Sequence, residues 1–104
     1  MSRRRVVVTG MGVLAPNGND VDTFWDALIS GRSGIGPITR FDASHHEVKI
    51  AGEVENFDPT SALDRKEVRR NDPFVHYGVY ASCQAAASAG LDMGKVDPER
   101  VGVI

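Results

Sequence analysis

Only one cysteine, Cys83, occurs among the 104 residues, so no internal disulfide can form and the framework of small secreted domains is excluded. A reducing, cytoplasmic setting is the compartment this implies. Metal-ligand spacing is missing as well. His45 and His46 are adjacent, which directs them to opposite faces of an extended segment, and His76 stands apart from both. No stretch approaches the roughly 18 apolar residues that a membrane helix needs. Arg3, Arg4 and Arg5 ahead of Val6–Ala15 imitate a signal peptide, but Thr9, Gly10 and Gly12 interrupt the apolar run, and Ala15-Pro16 ends it without a small-x-small cleavage signal. A dominant charge is absent too: 12 Lys and Arg stand against 14 Asp and Glu, for a net charge of -2, which argues against a broad nucleic-acid-binding surface. What remains, 41% apolar and 25% charged residues, is the composition of a soluble globular segment long enough for one domain at most.

Within that segment the local signals alternate between strand and helix. Arg5–Thr9 carries three consecutive valines before Gly10, the pattern of a strand buried on both faces of an α/β sheet. Gly10 and Gly12 predict a turn, and Pro16-Asn17-Gly18-Asn19 is a second cluster of turn formers. Asp20 is placed to cap a helix over Val21–Ser30, with Val21, Phe24, Trp25, Leu28 and Ile29 on one stripe and Gly31 ending it. Arg32–Pro37 and Phe41–His46 read as loop. Val48, Ile50, Gly52 and Val54 alternate with Lys49, Ala51 and Glu53 and predict a half-covered strand. Asp58-Pro59 begins a short turn, Asp64 and Glu67 have the spacing of a capping box ahead of a helix over Arg65–Arg70, and Asn71-Asp72-Pro73 stops it and starts another. From Pro73 to Ala89 small residues dominate, as expected of a helix in close contact with other backbone, and Gly90 closes it. Arg100–Ile104 opens an apolar strand. Three strands are few for a parallel sheet covered on both faces, so the chain reads as the front part of a larger fold.

The chemistry legible in the residues is sparse. Gly10-Met11-Gly12-Val13-Leu14-Ala15 matches G-x-G-x-x-A after a strand, but Pro16–Asn19 stands where the phosphate-binding helix would run, so a dinucleotide site is not expected. Cys83 lies mid-helix with no base in reach: His76 is two turns away, about 10.5 Å along the axis. It reads as a packed core residue rather than a nucleophile. Ser33 and Ser61 have no local base. Lys66, Arg69 and Arg70, flanked by Arg65, fall at i, i+3 and i+4 on one helix face. That cluster suits phosphate or an acidic protein, and equally fits a solvated face partly neutralised by Asp64 and Glu67.

Taken in order, R-R-V-V-V-T-G-M-G-V-L-A-P-N-G-N, W-D-A-L-I-S-G-R-S-G-I, R-F-D, A-G-E-V, D-R-K-E-V-R-R-N-D-P-F and A-G-L-D resemble the N-terminal segment of β-ketoacyl-acyl carrier protein synthases, most of all the elongating type II enzymes of bacterial fatty acid synthesis. The resemblance spans essentially the whole chain and implies part of a thiolase-like α/β/α/β/α fold over residues 1–104, in an acyltransferase that is usually a homodimer. It implies decarboxylative condensation of an acyl thioester with malonyl-acyl carrier protein, and no cofactor. Family members use a cysteine, two histidines and a lysine, all in motifs beyond Ile104, so no catalytic residue carries over and the 104 residues alone are expected to be inactive. Cys83 does not match the family's T-A-C-type nucleophile motif. Lys66, Arg69 and Arg70 do match positions that meet the acidic surface of acyl carrier protein. Asn71 departs from the family's common R-R-M-D run without altering these charges. A non-catalytic segment of a split ketosynthase, a chain-length-factor relative and a polyketide ketosynthase domain remain alternatives.

Overall fold

The computed structural model describes residues 2–104. Its first helix, α1 (Val21–Ile29), starts where its cap predicts: the Asp20 carboxylate accepts from the Thr23 amide at 2.8 Å and from the Thr23 hydroxyl at 3.0 Å. These bonds favour the ionised form and hold the Asp20 carboxyl below its ordinary pKa, the Thr23 amide contributing most. Gly31 sits just past the helix at a φ of +68°, which a side chain would strain. Two short strands follow, β1 (Ile35–Pro37) and β2 (Ile50–Gly52), paired antiparallel with Ile35 opposite Gly52 and Pro37 opposite Ile50. A 3₁₀ turn at Pro59–Ser61, capped by Asp58, leads to α2 (Arg65–Arg70), and α2 to the long helix α3 (Pro73–Ala89). Gly90 ends α3 in the left-handed conformation, with φ +65°. A last 3₁₀ turn covers Pro98–Arg100.

Several expectations are corrected. Arg5–Thr9 and Arg100–Ile104 form no strand: a strand requires a neighbour to take its amides and carbonyls, and among the described residues only β1 and β2 pair. Val6 is 95% and Val103 99% exposed. Arg32–Pro37, expected as loop, contains β1, because the alternating segment around Ile50 pairs with it. Cys83 is exposed on α3 rather than packed in a core. The same openness runs through the segment. Trp25, Leu28 and Ile29, the apolar stripe of α1, are exposed, and Gly18, Ala27, Ala43 and His76 are the buried residues among those described. The radius of gyration is 17.6 Å, against about 13 Å for a compact domain of this length.

The small residues of α3 have the role their composition suggests. The Gly10–Gly12 segment, expected to turn, instead lies directly on this helix. A Cβ on Gly12 would strike the Ala81 carbonyl oxygen, and one on Gly10 would strike the Ala85 carbonyl oxygen and approach Ala89 N to 2.5 Å. Gln84 locks the same contact. Its amide donates to the Val13 carbonyl at 3.0 Å and the Asn19 carbonyl at 2.7 Å, while its oxygen accepts from Val13 N at 3.1 Å. The tight turn itself falls at Ala15–Gly18, where the two backbones exchange hydrogen bonds.

Candidate functional site

The cationic helix α2 is built by local rules and held by distant ones. Asp64 caps it, accepting from Glu67 N at 2.9 Å. With only six residues, α2 is far shorter than the roughly 12–15 that a helix needs to persist alone, so its position depends on tethers. At its C-terminal end Asn71 donates to the Glu67 carbonyl at 2.8 Å, and the His76 Nε2 on α3 lies 3.0 Å from the Val68 carbonyl. A carbonyl oxygen only accepts, so this nitrogen carries the proton.

Arg65, Lys66, Arg69 and Arg70 are all exposed, while Glu67 and Val68 are half-buried. At about 100° per residue the four cations span an arc of about 140°, and Val68 falls about 60° outside it, next to Arg65. Arg70 approaches Glu67 at 3.9 Å, an exposed pair of little strength. Among the described residues no acidic side chain lies within ion-pair distance of Arg65, Lys66 or Arg69. The sequence-derived candidates Lys66, Arg69 and Arg70 therefore do share one accessible face, with Arg65 at its edge. Cys83, on α3, is not part of it.

Sequence reasoning did not find the groups that hold the surroundings of this face. Arg40 donates to the Tyr77 hydroxyl at 3.1 Å and to the Val54 carbonyl at 3.2 Å, and lies 3.8 Å from Glu53. Glu53 in turn accepts from the Thr39 hydroxyl at 2.9 Å and the Arg40 amide at 3.2 Å; the Thr39 hydroxyl is the main influence keeping its carboxyl below the ordinary pKa. Phe57 meets the rings of Tyr77 and Tyr80 edge-on, with centroids 5.6 Å and 5.0 Å away. Together these contacts tie the chain between β2 and the 3₁₀ turn to α3. The signals were present, in polar and aromatic residues scattered through Thr39–Tyr80, but no periodicity connects them. No group of three metal-ligating side chains converges among the described residues.

The surface so assembled is cationic, exposed and carried on a short helix beside a small-residue helix. The chain belongs to the β-ketoacyl synthase family, matching its N-terminal domain over residues 3–104. It is 47% identical to the 3-oxoacyl-acyl-carrier-protein synthase 2 of Synechocystis over 104 residues, and 48% identical to that of Coxiella burnetii over 103, covering 25% of each relative. The chain thus spans about a quarter of the length of these relatives. Among solved structures it superimposes on "the ishigamide ketosynthase/chain length factor" with a TM-score of 0.81 at 36% identity, covering 91% of this chain and 24% of that one. A type II PKS acyl-carrier protein in complex with its ketosynthase gives 0.72 at 29% identity, covering 95% of this chain and 26% of that one. The mixed helix and strand arrangement is accordingly the N-terminal part of the thiolase-like ketosynthase fold. No helix among the described residues is long and apolar enough to cross a membrane.

Proposed function

We propose that residues 1–104 are the N-terminal, partial thiolase-like domain of an elongating 3-oxoacyl-acyl-carrier-protein synthase of fatty acid biosynthesis, and that they contribute its carrier-protein docking face. The single observation that carries this reading is the exposed cationic arc of Lys66, Arg69 and Arg70 on α2, in a chain of this family. Acyl carrier protein, an acidic partner, is the complementary surface. The complete enzyme is proposed to be a cytoplasmic homodimer that uses no cofactor, with neither nucleic acid nor membrane as partner. Condensation itself is assigned to residues beyond Ile104, and the 104 residues alone are proposed to be inactive.

Reversing the three charges with Lys66→Glu, Arg69→Glu and Arg70→Glu in a family-length synthase carrying this segment tests the docking assignment. At low salt the association rate with carrier protein is expected to fall about tenfold or more, and the remaining rate to lose most of its salt dependence. Unchanged association kinetics would refute it. A second reading, a chain-length-factor relative, is favoured by the fit to the ketosynthase/chain length factor structure. A family-length chain lacking a nucleophilic cysteine at a strand-to-helix turn would establish that reading instead.

A further inference from the structure

His76 is the one buried polar residue among those described, 8% exposed. Its Nε2 donates to the Val68 carbonyl. In a continuing α-helix that carbonyl would accept from the amide of residue 72, but the chain leaves helical geometry at Asn71, with φ −120° and ψ 150°. The Val68 carbonyl is therefore an orphan helix-end acceptor, and a side chain from another helix satisfies it. Among the described residues this is the one hydrogen bond from α3 to α2; the remaining bonds at the end of α2 come from Asn71, its own cap.

We propose that His76 is a positioning residue for carrier-protein recognition: by holding the Val68 carbonyl it fixes the orientation of α2, and with it the direction in which Lys66, Arg69 and Arg70 face. This rests on the docking reading above. The bond is made at the backbone: the imidazole takes the Val68 carbonyl at the end of α2, while Lys66, Arg69 and Arg70 stay exposed and outside it. A six-residue helix released from that bond has too little internal stability to keep three long cationic side chains in register with a partner. Loss therefore weakens recognition of the protein partner in particular, rather than of a small thioester that never touches α2.

The test compares His76→Ala, His76→Asn and His76→Gln in a family-length synthase carrying this segment. The readout is the ratio of KM for acyl groups delivered on carrier protein to KM for the same acyl groups delivered as pantetheine thioesters. Glutamine places an amide N–H near the ε position and can still reach Val68, whereas asparagine stops short at the δ position. Alanine and asparagine are expected to raise the ratio roughly fivefold, the loss of one hydrogen bond of ordinary net strength, and glutamine to bring it back toward the parent. An unchanged ratio in His76→Ala and His76→Asn overturns the proposal, as does failure of all three variants to fold, which would make the residue purely structural. The charge-reversal variant, measured alongside, separates the two assignments. If it raises the ratio while the His76 variants do not, positioning by His76 is refuted and the docking face stands. If it leaves the ratio unchanged, the docking face is refuted and the role of His76 with it.

Discussion

Replacing Gln84 with glutamate changes one amide nitrogen to oxygen, yet it should destabilise the protein substantially. The parent amide donates two hydrogen bonds, at 3.0 Å to the Val13 carbonyl and 2.7 Å to the Asn19 carbonyl, and accepts one from Val13 N at 3.1 Å. Gln84→Glu keeps the acceptor but sets a carboxylate oxygen against two carbonyl oxygens, neither of which can donate. Two hydrogen bonds worth about 1 kcal/mol each are lost, and a partly buried charge faces two carbonyl dipoles, for a total of about 2–4 kcal/mol at neutral pH. The carbonyls disfavour the ionised form, so the introduced carboxyl has a folded pKa above its unfolded value of about 4.3. The variant is then closest to the parent below pH about 4.3, where the protonated acid returns one donor, and loses ground as pH rises through the folded pKa. Urea unfolding of a family-length protein at pH 4 and pH 7, for the parent, Gln84→Glu and Gln84→Ala, measures this. Gln84→Ala loses all three bonds without adding a charge, so its deficit of about 1–3 kcal/mol should not vary with pH. A Gln84→Glu deficit below about 0.5 kcal/mol at pH 7, the range of ordinary surface changes, or one that is the same at both pH values, would refute the reasoning.

Gly12→Ala should lower the urea midpoint at unchanged slope by about 1–3 kcal/mol of stability, because its Cβ would meet the Ala81 carbonyl oxygen and come within 2.9 Å of Gln84 Cβ, with rigid backbone on both sides; a midpoint equal to the parent's would show that the Gly12 segment does not lie against α3. Acid should loosen the Asp20 and Asp58 caps and the turn that Asp42 closes onto Ser44. The carboxyls of Asp20, Asp42 and Asp58 lie below their ordinary values, held chiefly by the Thr23 amide, the Ser44 hydroxyl and the Thr60 hydroxyl respectively. Their stabilisation is present above the unfolded carboxylate pKa of about 4 and is lost as pH falls through the lower folded values. Helical circular dichroism that holds constant from pH 5 down to pH 2 would contradict this.

The helices were legible in the sequence because their signals lie within one turn of the residues they govern. Asp20, Asp64 and Gly90 mark the ends of α1, α2 and α3, and each does so through a bond or a backbone conformation that involves only residues a few positions away. The cationic face is local in the same sense, since spacing along a helix already places Lys66, Arg69 and Arg70 together. The family, too, could be read from ordered motifs without any coordinates, and the match over residues 3–104 bears that out.

The contacts that tertiary structure decided join residues in different elements of the chain. Whether Val6–Val8 form a strand depends on a neighbouring strand, which the described residues do not supply, whereas Ile35–Pro37 becomes one because Ile50–Gly52 lies beside it. Cys83 has the composition of a core residue, but burial is conferred by what covers a helix face, and nothing among the described residues covers it. Nothing near Gln84 or His76 in the sequence of α3 points to their partners, Val13 and Asn19 for the first, 71 and 65 positions away, and Val68 for the second, 8 positions away but in another helix. Local propensity and charge spacing thus determined which cations α2 carries and that they share one face. Where α2 lies was decided from outside it, in part by one imidazole on another helix that takes the carbonyl the end of α2 left without an amide.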